Sequence, residues 1–497
     1  MNNETNVVGT GNFPEKPETP AIPIREAVFA WVFYLLSFVF THFAFRYAGG
    51  IWGGIFWSVI GVVGAVYIKL NRIPVKKSHT VIFAAAEIFC LTPLFCTNYI
   101  VNFFAAVFSF MLYFYLLLCI SGAELFGNHF VIDTLRSVFL KPFIRFTAQL
   151  RCAFSVFRGK NRSKNVLFAL LGLVAAIPLT VAVVILLMNS DELFESSVKG
   201  VLDNFTGISF SLFWELIFAV PIAMYLFGAV FGAKSDVYHA CDEAPGYRFL
   251  PPVFAYSTVT PACIFYFIYI VMQFSRIADV NKFEYAANFS EFARRGFFEL
   301  CLIAVINLIV IIIMQAFTKR NENDKRTAPL KIYTIIICVL TLLIIATAIA
   351  KMLIYIGELG MTPLRVYTTW FMLLLSLVFV LIIIWQLKEF KLWKVLFAGF
   401  AIFFAIPCFG NLEGMIANYN ISAYESGVIR ELDVDVLYLV GFSGAGPAKE
   451  LLDSGKGSDS VRQKLENYLS FESDIHNKMD QFAFFSIPRA AAEKSLR

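Results

Sequence analysis

The feature that most constrains this chain is a succession of long apolar runs separated by short polar connectors. Crossing a bilayer core takes about 20 residues of apolar helix. Eleven stretches reach or approach that length: about 27–45, 49–68, 80–95, 100–121, 166–188, 208–231, 252–273, 297–317, 332–350, 366–385 and 395–409. Backbone amides inside lipid find no water, so such stretches must satisfy their hydrogen bonds internally as helices. The expected fold is all-α: a polytopic transmembrane helical bundle of about 11 spans with a small, mainly helical C-terminal extramembrane domain. Composition agrees, because 59% hydrophobic residues, 15% charged residues and a mean hydropathy of +0.70 lie outside the range of soluble domains.

The connectors organise the rest. Residues 1–26, with Pro14, Pro17, Pro20 and Pro23 among acids and amides, read as a disordered tail. Residues 27–121 hold the first four spans, and the glycines of the second (Gly49, Gly50, Gly53, Gly54, Gly61, Gly64) permit close helix contact. Residues 122–165 are basic, and Phe143, Phe146, Leu150, Phe154 and Phe157 recur at helical spacing after Pro142. That pattern predicts an amphipathic helix on a membrane surface, with Arg145, Arg151 and Arg158 set against anionic lipid headgroups. Residues 166–409 hold spans five to eleven, interrupted by an acidic loop at Asp191, Glu192, Glu195 and Asp203; residues 410–497 form the C-terminal domain. Lysines and arginines concentrate in alternate connectors, at 69–77, 124–164, 319–331 and 388–394. The positive-inside rule then puts the N-terminus in the cytoplasm and, with eleven spans, the C-terminal domain outside it.

Polar residues that cost free energy in or beside lipid are the candidate sites. Glu87, Glu215 and Asn307 fall inside spans, where each must face protein or water. A second group collects at one membrane edge. Glu291, Arg295 and Glu299 share a helical face beside Arg294; Lys351, Tyr355 and Glu358 share another. Gly360 ends the helix carrying the latter three, and Thr362 and Pro363 start the next with an N-cap and an N1 proline. Arg365 then sits in a first turn, where the helix dipole disfavours a cation, so an anionic partner such as Glu358 is expected for it. The cysteines, among them Cys90, Cys119, Cys263, Cys301, Cys338 and Cys408, read as small apolar packers. His239 and Cys241 lack further ligands nearby, so no metal or cofactor is expected. The string GAGPAK at 444–449 lacks the full phosphate-loop pattern.

Three stretches carry a resemblance: EYAANFSEFARRGFFEL at 284–300, MLIYIGELGMTPLRVYTTWFM at 352–372 and IANYNISAYESGVIRELDVDVLYL at 416–439, with NSDELF near Asp191 fitting as well. Together they resemble the bacterial multi-pass membrane proteins catalogued as a domain of unknown function, the forty-one fifty-three and forty-one seventy-three group. The resemblance implies a bacterial inner-membrane location and no particular activity.

Three functions compete on this reading. A sensory or partner-binding protein would use the outer charged cluster and the C-terminal domain to receive a signal or an envelope or membrane protein partner. A secondary transporter would line a path with Glu87, Glu215 and Asn307, although no internal repeat supports one. An enzyme on lipid-linked substrates would hold an anionic headgroup on Arg294, Arg295 or Arg365, without a recognisable nucleophile, metal or triad spacing. The first is favoured. The expected partners are the anionic bilayer and a protein, and no nucleic acid.

Overall fold

The computed structural model describes residues 22–46, 50–127, 130–157, 186–205, 208–235, 248–278, 297–320, 326–478 and 484–496, with isolated positions between 176 and 184. Among these, ten helices are long and apolar enough to cross a membrane. They match ten of the eleven expected spans. The eleventh, at 166–188, lies mostly outside the described residues.

In chain order the helices are α1 (Ile24–Arg46), α2 (Ile51–Leu70), α3 (Lys77–Cys90), the single turn α4 (Thr92–Phe95), α5 (Tyr99–Ile120), α6 (Phe130–Phe139), α7 (Lys141–Ile144) and α8 (Ala148–Ala153), then α9 (Glu192–Phe205), α10 (Ile208–Ser235) and α11 (Pro252–Ala278). They continue with α12 (Phe297–Phe317), α13 (Ala328–Leu359), α14 (Pro363–Leu387), α15 (Leu392–Phe409), α16 (Leu412–Glu425), α17 (Asp435–Val440), α18 (Ala445–Ser454), α19 (Asp459–Lys478) and α20 (Ile487–Leu496). The chain divides into two compact units, one of residues 1–38 and 145–228 and one of residues 39–144 and 229–497.

In the first unit α1 is held by buried polar contacts to its backbone and by rings. Gln149 Nε2 donates to the Ala30 carbonyl at 3.3 Å, Trp31 Nε1 donates to Ala153 O at 3.3 Å, and the Phe33 and Phe227 rings meet edge to face at 6.0 Å. In the second unit two cores follow from which helices are neighbours. Helices α11 to α14 bury Phe297, Ile337, Ile344, Met372 and Phe379, whereas Phe89 and Cys96 meet Phe404 and Cys408 across α3, α4, α5 and α15. The opposite faces carry exposed Phe103, Phe265, Leu387 and Ile402. A helix that is apolar on its outward face belongs against hydrocarbon, so the chain is a multi-pass membrane protein.

Several local expectations change. The last three residues read as tail, 24–26, are helical, since α1 starts at Ile24; residues 1–21 lie outside the described residues. The third span breaks at Leu91, because Pro93 restarts a turn and the Thr92 hydroxyl caps back to Phe89 O at 2.8 Å. The acids near Asp191 belong to a helix and its cap rather than to a loop: Asp191 caps α9, accepting from the amides of Leu193 and Phe194 at 2.8 and 3.0 Å. Carboxylates there oppose the positive helix end. The basic segment is also not one amphipathic helix after Pro142. The well-formed amphipathic helix is α6, upstream of that proline, and the chain beyond it is cut into α7, α8 and a 3-10 turn.

Helices α16 to α20 form a small helical domain. Its core joins Ile416, Leu437, Leu451, Leu465 and Tyr468 from α16, α17, α18 and α19, and it also takes in Met361 and Val366 from the α13–α14 turn. The domain is therefore packed onto the bundle.

Candidate functional site

The α13–α14 turn is built as its sequence signals require. Gly360 takes φ +74° and its N–H closes on Ile356 O at 2.9 Å; Thr362 Oγ1 accepts from the Arg365 amide at 3.3 Å; Pro363 occupies the first helical position. What fixes the turn is a residue 59 positions away. Asn420 of α16 accepts from Met361 N–H through Oδ1 at 2.6 Å and donates to Met361 O through Nδ2 at 2.7 Å. A Cβ on residue 360 would stand 2.6 Å from that same Oδ1, so the absent side chain of Gly360 is what lets Asn420 in.

Arg365 does not pair with Glu358. Its Nη1 donates to the carbonyls of Leu359 and Gly360, and its guanidinium lies 4.1 Å from the Tyr355 ring centroid. The negative end of the α13 dipole thus supplies the partner that a carboxylate was expected to supply. Glu358 and Glu299 are exposed and make no ion pair among the described residues. Lys351 is 9% exposed and is partnered rather than free. Glu291, Arg294 and Arg295 lie outside the described residues, as do Arg158, His239 and Cys241. Arg145 has a partner and Arg151 donates to Thr147 Oγ1 at 3.3 Å. Of the expected edge cluster, Tyr355 and Arg365 come together.

The intramembrane polar residues have different surroundings. Asn307 is satisfied inside the α11–α14 core: it accepts from Tyr266 Oη and donates to Thr341 Oγ1, both at 2.9 Å. That arrangement ties three helices and leaves no group pointing into open space. Glu215 is buried and partnered. Glu87 accepts from Ser58 Oγ at 2.5 Å, while its Oε1 is buried without a donor among the described residues. The Tyr113 hydroxyl lies beside this carboxylate and 3.5 Å from Cys90 Sγ. Helices α2, α3 and α5 reach this closeness through glycine. A Cβ on Gly61 would stand 2.5 Å from the Tyr113 ring, and one on Gly54 would strike the Cys90 carbonyl.

The most deeply buried carboxylate of the bundle end was not singled out from sequence. Glu413, in the first turn of α16, is 2% exposed. Its Oε1 accepts from the Tyr367 hydroxyl of α14 at 2.5 Å, and that hydroxyl accepts from Asn98 Nδ2 at 3.4 Å. Asn98 is also the N-cap of α5, its Oδ1 taking the amides of Ile100 and Val101. Burial pushes the nearby Cys96 thiol up to about 12, and the Glu413 charge adds to the effect. Asn102, 7% exposed, donates to Cys96 O at 3.1 Å. The available signal was weak: each residue stands at the edge of an apolar run, where polar residues are commonplace.

Within the C-terminal domain a second buried polar group joins α19 to α20. Glu472 is 3% exposed and burial raises its carboxyl to about 7, partly offset by Arg489. The Arg489 guanidinium lies 4.2 Å from the Phe442 ring centroid and donates to Phe484 O at 2.9 Å. The GAGPAK string enters α18 from a 3-10 turn, without the preceding strand that a phosphate loop needs. No group of three or more His, Cys, Asp or Glu placed to hold a metal occurs among the described residues.

No curated protein and no solved structure matches the chain significantly. Residues 83–451, from α3 through the α13–α14 turn and its Asn420 clamp into α18, match the family described as Domain of unknown function (DUF4153). The chain belongs to that family.

Proposed function

We propose that this is a sensory or partner-binding protein of the bacterial inner membrane, with the N-terminus in the cytoplasm and the C-terminal domain outside it. The observation that carries the reading is the seating of the C-terminal domain on the α13–α14 turn through the two Asn420–Met361 hydrogen bonds. A domain clamped to a bundle turn passes a displacement from one to the other, because both bonds and the shared core move together. The domain also presents a surface suited to a protein. Tyr438 and Phe471 meet edge to face at 5.4 Å beside Leu439, which is 68% exposed. Aromatic and aliphatic side chains left together in water are the usual anchors of protein interfaces.

The test is site-specific photocrosslinking in cells, with the crosslinker at Leu439 and, as control, at Lys456. A discrete protein adduct at Leu439 that is missing at Lys456 is expected. Equal, diffuse labelling at both positions counts against the reading.

One observation favours a transporter as the second reading: the mid-span Glu87 carboxylate, half-buried among Ser58 and Tyr113 with one oxygen lacking a donor among the described residues. Proton-dependent substrate flux into proteoliposomes that disappears with Glu87→Gln would replace the first reading with this one.

A further inference from the structure

Two buried acceptors border one loop. Glu413 Oε2 and Asn102 Oδ1 each lack a hydrogen-bond donor among the described residues, and both side chains are more than nine-tenths buried. They are linked through residues 96–98. Asn102 Nδ2 donates to the Cys96 carbonyl, and Asn98 reaches Glu413 by way of the Tyr367 hydroxyl. Cys96 itself belongs to the apolar core of Phe89, Phe404 and Cys408, with Trp370 packed against it. A buried carboxylate whose second oxygen meets no donor is costly unless something positive stands against it. No lysine or arginine bonds to Glu413 among the described residues.

We propose that Glu413 and Asn102 form a binding site for a small monovalent metal cation at the junction of α5, α14, α15 and α16. The donor set is all oxygen, a carboxylate and an amide carbonyl. Hard oxygen ligands select hard cations over soft ones. One carboxylate charge selects a single positive charge, because a divalent ion would leave an uncompensated charge in a low-dielectric setting. Tyr367 positions Glu413 by donating to Oε1, which turns Oε2 toward the ion. The site lies where α16 leaves the bundle, and Asn420, two turns further along that helix, clamps Met361. Occupancy therefore strengthens the seating of the C-terminal domain. The site stands independently of what that domain binds.

The experiment measures thermal unfolding of the full-length protein in nanodiscs by intrinsic tryptophan fluorescence, titrating NaCl, KCl or choline chloride at constant ionic strength. The expected result is a saturable rise of several degrees with sodium or potassium and none with choline, since a ligand of the folded state raises stability by mass action. Glu413→Gln should remove the rise, and Tyr367→Phe should shift the half-saturating concentration upward by about tenfold, the loss of one charge-assisted hydrogen bond. Indistinguishable titrations in the three salts overturn the proposal, as does a full response in folded Glu413→Gln. Should Glu413→Gln fail to fold, Asn102→Asp decides: the added carboxylate should move the response from monovalent ions to magnesium or calcium. An unchanged monovalent response in that variant overturns the assignment. The partner-binding reading is scored by crosslinking at Leu439, so failure of either leaves the other standing.

Discussion

At Glu472 a single carboxyl makes the stability of the C-terminal domain depend on pH. Burial raises it to about 7 from the ordinary 4.5, so between those values the folded state holds a proton that the unfolded chain has released. Stability from this group is complete below pH 4.5 and is lost as pH rises through 7. The span is worth roughly 3 kcal/mol at about 1.4 kcal/mol per pH unit. Comparing unfolding of the wild type and Glu472→Gln from pH 4.5 to 8 should show the variant with the flatter slope. Parallel curves would mean that Arg489 compensates the charge fully. Gly360 is the other decisive single residue. Gly360→Ala places a Cβ in a positive-φ position and against Asn420 Oδ1. It should destabilise the turn by about 1–3 kcal/mol and make the C-terminal domain cleavable by protease at concentrations that spare the wild type.

Between elements, the close contacts of α2 with α3 and α5 depend on Gly54 and Gly61 and not on Gly53 or Gly64. Gly53 faces open space and Gly64 makes an ordinary contact with Val230, whereas Gly54 and Gly61 have a neighbour where a side chain would be. Gly61→Ala should force the Tyr113 ring away from Cys90 and Glu87 at a cost of about 1–3 kcal/mol, the usual penalty for overpacking. Gly53→Ala should be neutral or mildly stabilising. Both are read from midpoints of thermal unfolding in nanodiscs. Equal midpoints would show that Tyr113 moves at no cost. The same scale explains why Arg365 needs no acid: α13 ends under it, and two terminal carbonyls and the Tyr355 ring do the work of a carboxylate.

For the whole molecule, the sidedness of the C-terminal domain decides in which compartment the proposed partner would be sought. On the proposed topology, with eleven spans and the N-terminus in the cytoplasm, the domain lies outside. Paired reporters fused after Arg497 should therefore show the one active only outside the cytoplasm as positive and the one fluorescent only within it as dark. The reverse result would mean an even number of spans and move the search for partners to the cytoplasm. The spans themselves, the caps at Thr362 and Pro363 and the polar residues that must avoid lipid were all legible in the sequence, because hydropathy, helix-end chemistry and the cost of burying charge are local properties. The Asn420 clamp and the Glu413–Tyr367–Asn98 chain join residues as far as 269 positions apart. Only the tertiary structure decided those, because which polar groups meet depends on which helices pack side by side, and hydropathy is the same for every arrangement of the spans.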